Sequence, residues 1–86
     1  MTKKPHEADV YTAEQIAKAD RFTAVIQLGP HDRRYAEGMT TYSEAKEGAA
    51  LLNAESKYGR RAVIYAHVGK RAFPVDDTLA RMAGLI

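Results

Sequence analysis

Three histidines, eleven acidic residues and no cysteine bound the chemistry this chain can carry. His6, His31 and His67 lie far apart in sequence, and no thiolate is present. Neither the i, i+4 histidine pair nor the Cys/His spacing that holds zinc is therefore present. His31 stands beside Asp32, but Gly29-Pro30-His31-Asp32 has the composition of a tight turn, and neighbours in a turn seldom form a proton relay. His67 falls in an apolar alternating run beside Tyr65, the setting of a half-buried, hydrogen-bonded histidine rather than a base. Glu37, Glu44 and Glu47 are closely spaced, and Glu44 has a helix-capping duty described below. No nucleophile elbow, P-loop or dinucleotide fingerprint occurs. The expectation is a protein that is not an enzyme, with no catalytic, metal-binding or cofactor-binding residue; a minor activity with His31 or His67 as base is the reserve reading.

What remains to meet a partner is basic and aromatic. Arg33, Arg34 and Tyr35 follow the turn at Gly29-Pro30, and Lys57, Tyr58, Arg60 and Arg61 precede the last strongly apolar run. Arginine suits planar, bidentate recognition of phosphate or carboxylate, and tyrosine suits stacking. The overall excess is small, thirteen Lys and Arg against eleven Asp and Glu, with a pI near 9.0, so placement rather than composition has to make a basic surface. Lysines and arginines also collect at helix ends and turns for solubility and to complement the helix dipole.

The elements that must position these residues are marked by helix starts and turn residues. Thr12-Ala13-Glu14-Gln15 and Thr41-Tyr42-Ser43-Glu44 both fit the capping box, in which Thr caps a free N–H and Glu or Gln reaches back. The first predicts a helix over residues 13–20, with Tyr11 and Ile16 as its hydrophobic staple, after a polar, mobile tail over 1–10. The second predicts the main core helix over 42–57, with Ala45, Gly48, Ala49 and Leu52 on one stripe and Leu51, Ala54 and Tyr58 beside it. Gly48 inside that helix implies a close approach, and Gly59 is placed to end it.

Alternation in 22–28 predicts a strand with Phe22, Ala24, Ile26 and Leu28 inward. Residues 34–40 predict its hairpin partner, with Tyr35 and Met39 on one side and Gly38 as a bulge. Residues 60–68 predict a central strand, apolar on both faces. Ala72 to Val75 predicts a short strand that Pro74 confines to a sheet edge, and Asp76 or Asp77 caps a last helix burying Leu79 and Met82.

The fold expected is a single small α+β domain over 11–86: an antiparallel sheet of about four strands in two hairpins, with a main helix packed on it and short flanking helices, in the order α-β-β-α-β-β-α. That order brings Arg33, Arg34, Lys57, Arg60 and Arg61 to one rim around Tyr35 and Tyr58, with His31 a further candidate for it, and sends Lys70 and Arg71 to the opposite end. With a long helix after the first hairpin and no Lys-rich last helix, the order departs from double-stranded-RNA-binding domains, and the Gly-Phe strand motif of RNA-recognition domains is absent.

Length adds one more expectation. At 86 residues a chain buries only roughly 60 to 65% of its unfolded surface, so stability is modest and a second copy is a natural source of support. The Ala45-Gly48-Ala49 stripe and the terminal Leu85-Ile86 are the candidates for that contact. No apolar run approaches the ~18 residues of a membrane span, and the lack of cysteine fits a reducing cytoplasm. The function expected is a small binding protein, a regulator or inhibitor, that docks through the basic rim on a protein partner or a nucleic acid with an acidic surface, without a membrane; the alternatives are a homo-oligomeric accessory protein and a nucleic-acid-binding module using the same rim.

Overall fold

The computed structural model describes residues 7–56 and 59–86. Its elements are α1 (Glu7–Ile16), β1 (Arg21–Gly29), β2 (Asp32–Met39), α2 (Tyr42–Ala54), β3 (Val63–Val68), β4 (Arg71–Val75) and α3 (Asp77–Met82), the α-β-β-α-β-β-α order expected. The strands form one antiparallel sheet in the order β2-β1-β3-β4. The two hairpins therefore meet along β1 and β3, with β2 and β4 at the edges. Pro74 has no N–H to give a ladder, and its strand is an edge strand as expected.

Alternation along β1 turns Phe22, Ala24 and Ile26 inward, and all three are almost wholly buried. Across the sheet Ala24 pairs with Ile64, Phe22 with Ala66, and Ile64 with Val75, which extends the same face through β3 to β4. Ile16 of α1, Tyr42, Ala45, Ala49 and Leu52 of α2, and Ala80 of α3 close over it in one core. The alanines at the sheet centre are fully buried, and their small size lets the helices come close. Phe22 meets Tyr42 edge to face, with ring centroids 6.2 Å apart.

Gly48 sits where the main helix approaches β2. A Cβ built there would lie 2.8 Å from Met39 Sδ and 3.2 Å from Ala36 Cβ, so the close approach expected of it is present. The small-residue stripe thus packs inside the domain against its own β2. Leu85 also packs on the core, while Ile86 is exposed.

The cap at Thr41 forms as expected: its Oγ1 accepts from Glu44 N at 3.2 Å. The Glu44 carboxylate takes the hydroxyls of Thr40 and Thr41, which hold it below the usual carboxylate range. At the last helix the capping residue is Asp76, whose Oδ1 accepts from Leu79 N at 2.8 Å.

Several local expectations are corrected. α1 begins at Glu7, so residues 7–10 are helix rather than tail, and Thr12 stands inside the helix with its hydroxyl donating back to Ala8 O. Tyr11 accordingly stands inside the helix rather than before its start, where a staple with Ile16 would need it, and is 51% exposed. α2 ends at Ala54; Gly59 does take a left-handed φ of +70°, but several residues beyond the helix end. Leu51 faces solvent at 73% exposure. In α3 the buried residue is Ala80, with Leu79 only partly buried and Met82 at the surface.

Tyr35 and Met39 do not share a side. Phe22 pairs with Met39 and Ala24 with Ala36, so two steps on β1 are matched by three on β2. The extra residue is a bulge at Glu37-Gly38, where Gly38 has φ +81°. It leaves Met39 in the core and Tyr35 on the opposite face, 55% exposed.

Candidate binding face

The helices pack on one side of the sheet, and among the described residues nothing covers the other. Strand alternation decides what that open face carries. On β1 the residues between the core positions are Arg21, Thr23, Val25 and Gln27, and pairing aligns them with their neighbours. Val25 lies at the centre, opposite Tyr35 of β2 on one side and Val63 of β3 on the other. Thr23 pairs with Tyr65, which pairs in turn with Pro74. Val63 is 43% exposed, an unusual burden for a valine in an interior strand.

A shallow hollow of about 350 Å³ opens on this face, lined by Val25, Gln27, Arg33, Tyr35, Arg61, Val63 and Tyr65. Arg33 is held in place: its Nε donates to Gln27 Oε1 at 2.9 Å, and the Gln27 amide is anchored on Gly29 O. Farther along, Thr23 Oγ1 and His67 Nε2 are 2.9 Å apart, the bonded, half-buried histidine expected.

Charge on the face is one-sided. Alternation places Arg21 and Arg33 there, Arg61 from the segment before β3 lines the same hollow, and β1, β3 and β4 contain no acidic residue. The acids of β2 are Asp32, at the turn and within 3.6 Å of Arg34, and Glu37 in the bulge. No ion pair among the described residues engages Arg33 or Arg61. Their guanidinium groups face solvent with donors to spare.

The expected rim divides accordingly. Arg33, Tyr35 and Arg61 line the one hollow. Arg34, next to Arg33 in a strand, points to the helix side, where Nη1 reaches Glu55 Oε2 at 3.3 Å beyond the end of α2. Arg60 is exposed in the segment before β3, its backbone N–H donating to Ser56 Oγ. Lys57 and Tyr58 lie outside the described residues. Sequence reasoning missed Val25, Val63, Tyr65 and Gln27. Their signal was present in the second alternation of the two apolar runs, which reads equally well as the buried underside of a central strand.

A second polar cluster lies at the helix side. Tyr42 OH donates to Asp77 Oδ1 at 2.8 Å, and Lys46 Nζ donates to the same oxygen at 2.8 Å. These bonds tie α2 to the first turn of α3. Burial, then the bond to Asp77, pushes the Tyr42 hydroxyl far above the ordinary phenol range. Lys46, then Tyr42, holds the Asp77 carboxyl below its ordinary value. Every polar group in this cluster is occupied by another, which marks it as a clamp between helices rather than a site awaiting a ligand.

Set against known protein families, curated proteins and solved structures, the chain finds no match in any of the three comparisons. No described helix is long and apolar enough to cross a membrane.

Proposed function

We propose that this protein is a non-enzymatic docking module whose working surface is the open face of the sheet, and that its partner is an acidic macromolecule. The observation that carries the reading is the combination on one face of exposed Tyr35 and Val63, half-buried Val25 and Tyr65, and the unpaired Arg33 and Arg61. A soluble sheet face with no partner normally shows polar residues at such positions. Here apolar and aromatic side chains are framed by cations, the composition of a surface that is covered part of the time. The homo-oligomer reading has less support, because the small-residue stripe that motivated it packs against Met39 and Ala36 of the same chain.

Elution from immobilised heparin, a generic polyanion, tests the surface. The pair Arg33→Gln and Arg61→Gln should leave the column at clearly lower salt than the parent. A control of equal charge loss, Lys70→Gln with Arg71→Gln at the other end of the sheet, should elute close to the parent. Equal shifts for the two pairs would reduce the effect to net charge and remove the face from the proposal.

A further inference from the structure

We infer that the occupant of the open face is single-stranded nucleic acid, its bases stacked on Tyr35 and Tyr65 and its phosphates met by Arg33 and Arg61. The inference rests on the docking reading above and narrows it to one partner chemistry.

Geometry comes first. Tyr35 and Tyr65 stand two strands apart and are offset by two residues along the sheet, since Val25 pairs with both Tyr35 and Val63 and Tyr65 lies two positions beyond Val63. With strands about 4.8 Å apart and about 3.3 Å per residue, the two residues' backbone positions are separated by roughly 12 Å. Val25 and Thr23 of β1 lie between them, with Val63 beside Val25, a largely apolar surface on which an intervening base can lie. Separate aromatic platforms on a flat surface suit a flexible strand whose bases are splayed. Paired bases in a duplex keep their π faces inside the stack and cannot use them.

Charge and size point the same way. Alternation gives this face cations only, apart from Glu37 in the bulge, and the two arginines beside the tyrosines carry no carboxylate that a phosphate would have to displace. A guanidinium fork matches phosphate geometry, and the bond from Arg33 Nε to Gln27 fixes one such fork in advance. The open face spans about 14 Å from edge strand to edge strand and about 17 Å along five residues. That footprint is well short of the roughly 800 Å² each partner contributes to a stable protein complex, but it is enough for a few nucleotides.

The test is fluorescence anisotropy with a labelled twelve-nucleotide oligothymidine and oligouridine, a duplex of the same length, and polyglutamate as a polyanion without bases. Single strands should bind more tightly than duplex or polyglutamate. Tyr35→Ala and Tyr65→Ala should each weaken the oligonucleotide by roughly tenfold or more, as stacking on one ring is worth about 1–3 kcal/mol per base. Tyr35→Phe and Tyr65→Phe should hold within about threefold, because the ring is retained. Removing Arg33 and Arg61 should lower the salt slope by about 1.4, at about 0.7 per phosphate contact on a single strand. Duplex or polyglutamate binding as tightly as the single strand would overturn the inference, as would Ala variants that bind like the parent. A parent protein that binds no oligonucleotide, with the heparin contrast between the two Arg pairs intact, would reject nucleic acid and keep the docking face. A parent that shows neither oligonucleotide binding nor the heparin contrast would reject the face itself.

Discussion

On one face of the sheet Phe22, Ala24, Ile26, Ile64 and Ala66 are sealed beneath the helices; on the other, Val25, Val63, Tyr35 and Tyr65 share space with arginines and meet none. Both faces are rich in apolar atoms, so hydrophobicity alone does not sort them. What separates them is interruption. The inward positions of β1 and β3 run apolar without a break, whereas the outward ones alternate Val with Arg, Thr, Gln, Tyr and His. A helix laid on the second face would bury Arg21, Arg33 and Arg61 without counter-ions, at a cost of several kcal/mol per ion. A phosphate-bearing partner brings the counter-ions with it.

The contrast can be broken from either side. The largest effect belongs to the sealed face: Phe22→Ala should lose about 3–5 kcal/mol in urea unfolding, enough to leave a domain of this size barely folded. Tyr35→Ala, a truncation of similar size on the open face, should change stability by no more than about 0.5 kcal/mol. Comparable losses at the two positions would mean that the open face is packed in solution.

Next in size is Gly48→Ala. The helix gains about 1 kcal/mol from alanine, but the new methyl falls against Met39 and Ala36, and overpacking of this kind costs about 1–3 kcal/mol. A net loss of about 1 kcal/mol in the urea midpoint is expected. A gain would show that β2 yields and that the sealed side is less tightly fitted than the contacts imply.

The smallest effect lies at the clamp joining α2 and α3. The Asp77 and Glu44 carboxyls are held below their usual values in the folded state. The stability they contribute is present above the ordinary carboxylate range near pH 4 and is lost as pH falls through the lower folded values. Tyr42 works in the other direction: its contribution is present below about pH 10 and is lost only as pH rises past that range. The melting temperature should therefore sag below about pH 4, and Asp77→Asn should flatten that acid limb by lowering neutral stability towards its acid value. An unaltered acid limb in the variant would assign the sag to other carboxyls.

Much of the scaffold was legible because its signals are local. Thr41 and Asp76 cap where they should, Gly48 marks a close approach, and Pro74 marks an edge. The first helix was misplaced because Thr12-Ala13-Glu14-Gln15 satisfies a capping pattern by composition while the chain is already helical at Glu7. A cap is a backbone conformation, and spacing alone does not impose it. The surface was less legible than the scaffold. Arg33 and Arg34 are neighbours in sequence, but once both lie in a strand they face opposite ways, and only the strand boundary at Asp32 reveals it. The partners of Arg33 and Arg61 on the face, Val25 and Tyr65, are brought beside them by the pairing of β1 with both β2 and β3, information that resides in no single segment.

The bulge at Glu37-Gly38 gives β2 two independent halves. Beyond it Met39 is committed to the interior; before it Arg33 and Tyr35 face outward while Arg34 and Ala36 face the helices. Substitutions at 33 and 35 therefore alter the exposed surface without reopening the core. Deleting one residue of the bulge would put the strand back in simple alternation with Met39 still inward and Tyr35 still outward, whereas regular pairing at full length would force Met39 out or turn the arginine-tyrosine half over. One inserted residue thus reconciles the full length of the strand with an inward Ala36 and Met39 and an outward Tyr35.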